Sequence, residues 1–283
     1  MLWSSIAGFF SDLADFFSGK AFFELAGYTW NDLMKFASGI LTRNPSGDEY
    51  AEVWKQIENI YNVVNVIAAA LMVLFFVYGF CRESIDLHTE MTWERTVKLF
   101  IRLVVVINLL ELALTWIPKF LGYAKTLTEA ILGKAKIGFY FDGRAAYDNI
   151  VDASGWGALV AFLTSLLFFI FTAVCGFMVV FTVLNRILKL YMIMPFAGIA
   201  LSTLSAGGQV ANIGYSYIKS FFGYVLSALL IAVVIVISST FIDTVTIGSG
   251  SSIVTLLEYC LKMGAIASAV KSSDTVMQKA FGL

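Results

Sequence analysis

Charged residues are scarce in this sequence. Asp, Glu, Lys and Arg together make up 14% of the 283 residues, whereas 59% of the residues are hydrophobic. Soluble domains contain about 25% charged and about 45–50% apolar residues. A water-soluble fold of this composition could not cover its surface with polar atoms, so the composition requires a lipid solvent. The formal net charge of −1 also provides no overall field that would attract nucleic acid or anionic lipid.

Proline, histidine and cysteine are also rare. Three prolines beside 25 phenylalanines suit long helices in lipid better than strands that alternate apolar and polar residues. The three cysteines, Cys81, Cys175 and Cys260, lie in or at the ends of apolar runs, and His88 is the single histidine. Without CxxC or Cys/His spacing, we expect neither a disulfide framework nor a structural zinc site, and no cofactor.

Other functional signatures are missing as well. No basic segment precedes the first apolar residues, which are interrupted by Asp12 and Asp15, so a cleavable signal peptide is not expected. The sequence has no Ser/His/Asp set, HExxH motif, Walker loop or pair of acids at a catalytic spacing. We therefore do not expect an enzyme.

Long apolar runs are what the sequence does contain. A spanning helix needs about 20 mainly apolar residues, and five stretches qualify: 60–80, 99–118, about 157–184, 185–204 and about 215–242. The third and fourth are adjacent and predict a tight hairpin near Asn185 and Arg186. A further run, 253–270, pairs Glu258 with Lys262 at helical spacing, and we favour a partly buried or interfacial terminal helix over a sixth span.

The first 41 residues are amphipathic rather than uniformly apolar. Apolar residues recur at helical spacing before Gly19 (Leu2, Ile6, Phe9, Leu13, Phe16) and after it (Phe22, Ala26, Leu33, Ala37, Ile40), the second set opposed by Glu24, Lys35 and Ser38. Such helices are typical of membrane surfaces. The following RNPSGDEY stretch (43–50) contains Asn-Pro and Ser-Gly pairs, which predict a turn.

These patterns predict an all-α, polytopic helical membrane protein with about five transmembrane helices, an N-terminal amphipathic helical region and a terminal amphipathic helix. The predicted parts are 1–56 (interfacial helices), 57–118 (a transmembrane pair with the charged connection 81–98), 119–156 (a long extramembrane loop), 157–242 (a three-helix core) and 243–283 (a terminal helix and tail). Basic residues are nearly balanced between the two charged connections, so the positive-inside rule does not decide the orientation.

Several polar residues lie within the apolar runs. Glu111 follows Asn108 by about one turn of the second predicted span, and an ionisable group there costs about 2.5–3.5 kcal/mol if it faces lipid. We favour an inter-helix hydrogen bond for Glu111, with a pore-lining or proton-relay role as the alternative. Asn59, Asn62 and Asn65 form a polar stripe at the start of the first span and are likewise expected to bond a neighbouring helix or to line a path for water. Arg102 is expected to extend to the lipid headgroups.

The stretch NRILKLYMIMPFAGIALSTL (185–204) combines basic residues with a proline and small residues. Arg186 and Lys189 are expected at the membrane boundary, and Pro195 removes a backbone donor within the span. Gly198 and further small residues follow, up to Gly207 and Gly208. This pattern predicts a helix that packs tightly, kinks and ends at the glycine pair.

RILKLYMIMPFAGIALSTL (186–204) resembles the signature region of TrbL-type proteins, the polytopic inner-membrane subunits of type IV secretion and conjugation systems. GGQVANIGYSYIKSFFGY (207–224) resembles the short form of that family found in mobile elements of Gram-positive bacteria, and the match is strongest over about 157–242. The residues matched are Arg186, Pro195, Gly198, Gly207 and Gly208. The family offers no catalytic residues.

The resemblance implies a channel or scaffold subunit of a conjugative DNA-transfer machine, assembled as a homo-oligomer, namely a pentamer, in the cytoplasmic membrane. It implies secretion ATPases and bitopic scaffold subunits as partners, and a relaxase-bound DNA strand that passes through or beside the subunit. It also implies an outside N-terminus, an outside 119–156 loop and a cytoplasmic C-terminal tail. Direct DNA contact would have to come from a few basic residues: Arg82, Arg95, Lys98, Arg186 and Lys189.

Two other functions stay open at this point. A small-solute transporter or ion channel would use Glu111, Asn108 and the asparagines Asn62 and Asn65 along its path. A membrane-anchored structural or toxin-immunity protein would need only the apolar character of the 157–242 region.

Overall fold

A computed structural model describes residues 18–85, 93–133, 140–152, 157–244 and 252–282, and every regular element in those ranges is helical. The α-helices are α1 (Lys20–Leu41), α2 (Ala51–Ile85), α3 (Trp93–Leu132), α4 (Gly143–Tyr147), α5 (Ala158–Ile193), α6 (Ala197–Ser202), α7 (Gly208–Thr244) and α8 (Ser252–Ala280). Short 3₁₀ turns at Asp48–Tyr50, Met194–Phe196 and Thr203–Ala206 and a π-helical turn at Asp148–Asp152 complete them.

Four helical stretches in the described part of the chain are long and apolar enough to cross a membrane: Asp48–Ser84, Leu159–Ala206, Gly208–Ser238 and Ile253–Ala280. They contain the predicted span 60–80, nearly all of 157–204 and most of 215–242. The predicted span 99–118 lies within α3 but is not among these four, so a count of five is not confirmed. The run 253–270 is among the four, and its apolar and polar residues are not segregated into two faces. The predicted amphipathic terminal helix is therefore not confirmed.

The predicted hairpin at Asn185 and Arg186 is wrong. Both residues lie inside α5, which continues to Ile193. The physical reason is that the sequence there contains no glycine or proline that would stop a helix. The first such residue is Pro195, and the chain turns at Gly207 and Gly208, whose φ angles of 67° and 57° are easily adopted only by glycine.

The described residues divide into two compact units, the first formed by those within 1–41, 128–184 and 229–273. Here α1 packs against α4 through Gly27 and Gly143, at each of which a side chain would collide with the opposite backbone. Asn31 both donates to the carbonyl oxygen of Phe141 (3.0 Å) and accepts from its N–H (3.1 Å). The Phe141 ring lies against Phe168, with the ring centres 5.5 Å apart.

This unit tests two predictions in part. A helix does follow Gly19 and buries Ala26, Ala37 and Ile40, but Ser38, which we placed on the polar face, is also buried. The predicted loop 119–156 is helical as far as Leu132 and again over Gly143–Tyr147. The first amphipathic stretch, 2–16, lies outside the described residues, and the membrane-surface position of this region stays a prediction.

The second unit is formed by 42–127, 185–228 and 274–283. Its core packs α2 and α3 against α6 and α7, with Tyr61, Leu110, Ala197 and Leu201 among the buried residues. The Tyr61 hydroxyl donates to the carbonyl oxygen of Leu110 at 2.9 Å, so the two long helices are joined inside the apolar core. All of the sequence-predicted site residues lie in this unit.

Candidate functional site

The linking segment, residues 194–208, connects α5 to α7. It contains Pro195, predicted to kink the helix, and Gly207 and Gly208, predicted to end it. Pro195 lies in a 3₁₀ turn directly after α5, and the short α6 follows. A second 3₁₀ turn ends at Gly207, with φ 67° and ψ −178°. This region of backbone space is almost restricted to glycine. The predicted interruption at Pro195 and helix end at Gly207 are therefore confirmed.

The linking segment packs directly on α2 through small residues. A Cβ atom at Gly198 would lie 2.8 Å from Asn65 Oδ1 and 3.0 Å from the Cβ of Ala68. At Gly79 it would overlap the carbonyl group of Ala206. The buried Ser205 hydroxyl lies 2.9 Å from the carbonyl oxygen of Met72, to which it donates. Small residues thus allow close backbone approach, as they do between membrane helices.

Two arginines lie against the glycine turn. The guanidinium group of Arg102 is next to Gly207 and that of Arg82 is next to Gly208, so that a side chain at either glycine would collide with them. Arg102 also pairs with Glu83 at 3.5 Å. Arg82 near the end of α2 and Arg102 in α3 therefore place positive charge beside the turn. This position of Arg102 differs from the predicted one, in which its side chain extends to the lipid headgroups.

Gly207→Ala is expected to lower the free energy of unfolding by about 1–2 kcal/mol, because alanine is strained at a positive φ. Gly223→Ala is the matched control, since a Cβ at Gly223, within α7, would meet nothing within 4 Å. Denaturation in mixed micelles, followed by circular dichroism, measures both changes. Equal stability of the two variants would contradict the requirement for glycine at 207.

A buried charge cluster is formed by Arg186, Lys189 and Asp274. Lys189 Nζ contacts Asp274 Oδ2 at 2.6 Å. Arg186 is only 4% exposed, and its Nε donates to the carbonyl oxygen of Tyr224 at 3.3 Å. Within the described residues, Arg186 Nη1 and Asp274 Oδ1 have no hydrogen-bond partner. Lys189 is thus paired directly with Asp274, whereas Arg186 interacts with the same carboxylate electrostatically and without an ion pair.

This position corrects the interpretation of Arg186. We expected a residue at the membrane boundary that could also face water and DNA, but the residue is enclosed by α5 and α7. The reason is its helical register: Arg186 precedes Leu190 by one turn, and Leu190 is fully buried. Lys189 is about one-third exposed and is less enclosed than Arg186.

The four candidate pore-lining residues lie on two helices, Asn62 and Asn65 on α2 and Asn108 and Glu111 on α3. Asn62, Asn108 and Glu111 are exposed, whereas Asn65 is partly buried. Asn65 Oδ1 lies toward Gly198 and has no hydrogen-bond partner among the described residues. Asn108 donates to the carbonyl oxygen of Val104 in its own helix at 2.8 Å.

The sequence did not predict the roles of two residues. Asp274 is the carboxylate of the charge cluster, and Gly79 allows α2 to approach the linking segment closely. Arg186 and Lys189 are two cations three residues apart in an apolar helix, where cations usually have a carboxylate near them. This pattern could have predicted an acidic partner elsewhere in the chain. Gly79 stands alone in a strongly apolar stretch, so nothing local distinguished it from a tolerated glycine. Among the described residues, no group of three or more His, Cys, Asp or Glu side chains could hold a metal ion.

The class of the chain, a helical membrane protein, follows from four helical stretches that are long and apolar enough to cross a membrane: Asp48–Ser84, Leu159–Ala206, Gly208–Ser238 and Ile253–Ala280. Comparison of the chain with protein-family models, with curated proteins and with solved structures finds no match. The resemblance of 186–224 to TrbL-type proteins therefore stays a prediction.

Proposed function

We propose that this chain is a channel or scaffold subunit of a type IV secretion machine for conjugative DNA transfer, which acts as a homo-oligomer in the cytoplasmic membrane. The resemblance of residues 186–204 and 207–224 supports the type of machine. The exposure of Glu111 on α3 supports the homo-oligomer and is the single observation that carries the proposal.

Glu111 lies in the apolar run 99–118, and its side chain is exposed on the surface of the chain. Asn108, about one turn earlier, is exposed as well, and so is the apolar Leu112 (42%). If 99–118 is the fifth span, an ionised Glu111 that faces lipid costs about 2.5–3.5 kcal/mol. Contact with a second copy or with a water-filled path removes that cost. An oligomer around this face of α3 therefore accounts for the exposed carboxylate.

The proposed arrangement includes the finer features of the topology. The N-terminus and the 119–156 region lie outside, and the C-terminal tail is cytoplasmic. The N-terminal amphipathic region lies along the membrane, and five copies surround the path. Secretion ATPases and bitopic scaffold subunits are the partners, and the transferred DNA passes through or beside the assembly. The buried Arg186 acts as an internal packing residue rather than as a DNA contact.

Glu111→Arg is expected to lower the DNA-transfer frequency about 100-fold, since the guanidinium group is larger than the carboxyl group and always charged, and each charge in an apolar region costs about 2.5–3.5 kcal/mol. Donor cells lacking the native gene and complemented with each variant provide the measurement. Glu52→Arg is the control, because Glu52 is also exposed but lies in the first turn of α2, outside the predicted spans. Normal transfer by Glu111→Arg at normal protein level would contradict the proposal.

The second candidate is a small-solute transporter or ion channel. The exposed pair Asn108 and Glu111 favours it, because both polar groups are available at one side of α3. The Glu111→Gln variant separates the two functions. A scaffold retains DNA transfer, since the amide still forms hydrogen bonds, whereas a transporter that needs the carboxylate loses flux in proteoliposomes.

A further inference from the structure

The second unit contains an apolar cavity of about 400 Å³ between α3, α6 and α7. Its volume lies within the range of about 300–1,000 Å³ that is common for small-molecule sites. The walls include Leu109, Trp116 and Phe120 from α3, Leu201 from α6, and Phe221 and Phe222 from α7. Trp116 is about half exposed and Leu109 is 38% exposed, so the cavity opens at the surface of the unit.

The cavity presents almost no polar group to an occupant. Two wall residues, Trp116 and Tyr217, carry a polar side-chain atom. The hydroxyl group of Tyr217 already donates a hydrogen bond to the carbonyl oxygen of Ile193 at 3.2 Å. Water needs two to four polar partners in a buried site, and this cavity does not supply them. An occupant with a flexible hydrocarbon portion fits these walls.

A cation lies at the rim. Lys119 Nζ is 5.5 Å from the centre of the Trp116 ring, and the lysine is exposed. No carboxylate pairs with Lys119 in the described part of the chain. Lys119 also follows the apolar run 99–118 directly, and Trp and Lys side chains at such an end are typical of the headgroup level of a bilayer. The rim therefore offers a positive charge where phospholipid phosphate groups lie.

We propose that this cavity binds one anionic phospholipid of the surrounding bilayer, with an acyl chain against Trp116 and Phe120 and the phosphate group at Lys119. The apolar walls select hydrocarbon, and the unpaired cation at the rim selects a negative headgroup. The bound lipid covers apolar surface of α3 and α7 within one subunit. This site is independent of the proposed role in DNA transfer.

Phospholipids with brominated acyl chains test the proposal, because bromine quenches nearby indole fluorescence. The full-length protein in detergent is titrated with brominated phosphatidylglycerol, and the Trp116 signal is the difference between the wild type and Trp116→Phe. We expect saturable quenching of this signal. Brominated phosphatidylcholine should bind about fivefold more weakly, because one lysine near the surface contributes about that factor to anionic-lipid affinity.

Lys119→Gln should weaken phosphatidylglycerol binding about fivefold, whereas Lys55→Gln, which removes another exposed lysine of the same unit, should not. Ala113→Phe fills the cavity and should abolish saturable quenching. Since this variant can disturb folding, Lys119→Gln provides the independent test. No quenching of Trp116, quenching that rises without saturation, or equal binding of both lipids to wild type and Lys119→Gln would overturn the proposal.

Discussion

Asp274→Leu is expected to lower the free energy of unfolding by about 1–3 kcal/mol, because its removal leaves the partly buried Lys189 unpaired and takes a nearby negative charge from the buried Arg186. Asp274 is the carboxylate that contacts Lys189 at 2.6 Å. Arg186, 4% exposed, interacts electrostatically with the same carboxylate but forms no ion pair with it or with another carboxylate among the described residues. Unfolding in mixed micelles, followed by circular dichroism, measures the loss.

Two further variants make this prediction specific to buried charge. The double variant Arg186→Leu with Asp274→Leu should regain most of the lost stability, because the fully buried cation is then removed together with the carboxylate that interacts with it. Lys189, about one-third exposed, can then extend toward more polar surroundings. Lys98→Gln removes a well-exposed partner of Glu94 and should leave the stability unchanged. If Asp274→Leu is as stable as Lys98→Gln, the description of this cluster is wrong.

Gly79→Ala is expected to lower the free energy of unfolding by about 1–3 kcal/mol, as overpacked sites do. The new Cβ would overlap the carbonyl group of Ala206 in the linking segment. Because that obstacle is backbone rather than a flexible side chain, α2 and the linking segment must separate. Thermal unfolding in detergent measures the effect, and larger side chains at the same position should be worse.

The control for Gly79→Ala is Gly122→Ala in α3. A Cβ at Gly122 would meet nothing within 4 Å, and alanine in a helix interior is favoured over glycine by about 0.5–1 kcal/mol. The two substitutions are chemically identical and should change the stability in opposite directions. A loss of stability in both variants would show that the loss at Gly79 does not come from close packing on the linking segment.

The sequence predicts the helical class well because its apolar runs are long and its charged residues are few. The predicted spans 60–80 and 157–184 fall inside α2 and α5. The error at Asn185 and Arg186 has a physical origin. Polar residues between two apolar runs suggest a membrane boundary, but they can also face protein when a distant acid compensates them. Asp274 supplies that acid, and such long-range pairing is not visible in local periodicity.

The structure of the linking segment and its contact with α2 could be predicted only in part. Pro195, Gly207 and Gly208 act through their own backbones, so their effects can be read locally. Gly79 acts through contact with Ala206, and no local pattern in α2 distinguishes it. The cavity wall needs α3, α6 and α7 together. It therefore emerges only when the three helices are placed in space.

The mass of the complex released from native membrane vesicles tests the central proposal most directly. Native mass spectrometry of vesicles that contain the full-length chain should show an integer multiple of the chain mass, with five copies expected from the resemblance. The Glu111→Arg variant should yield smaller species, and Glu52→Arg should yield the same complex as the wild type. A single copy at every expression level would contradict an assembly around the Glu111 face of α3.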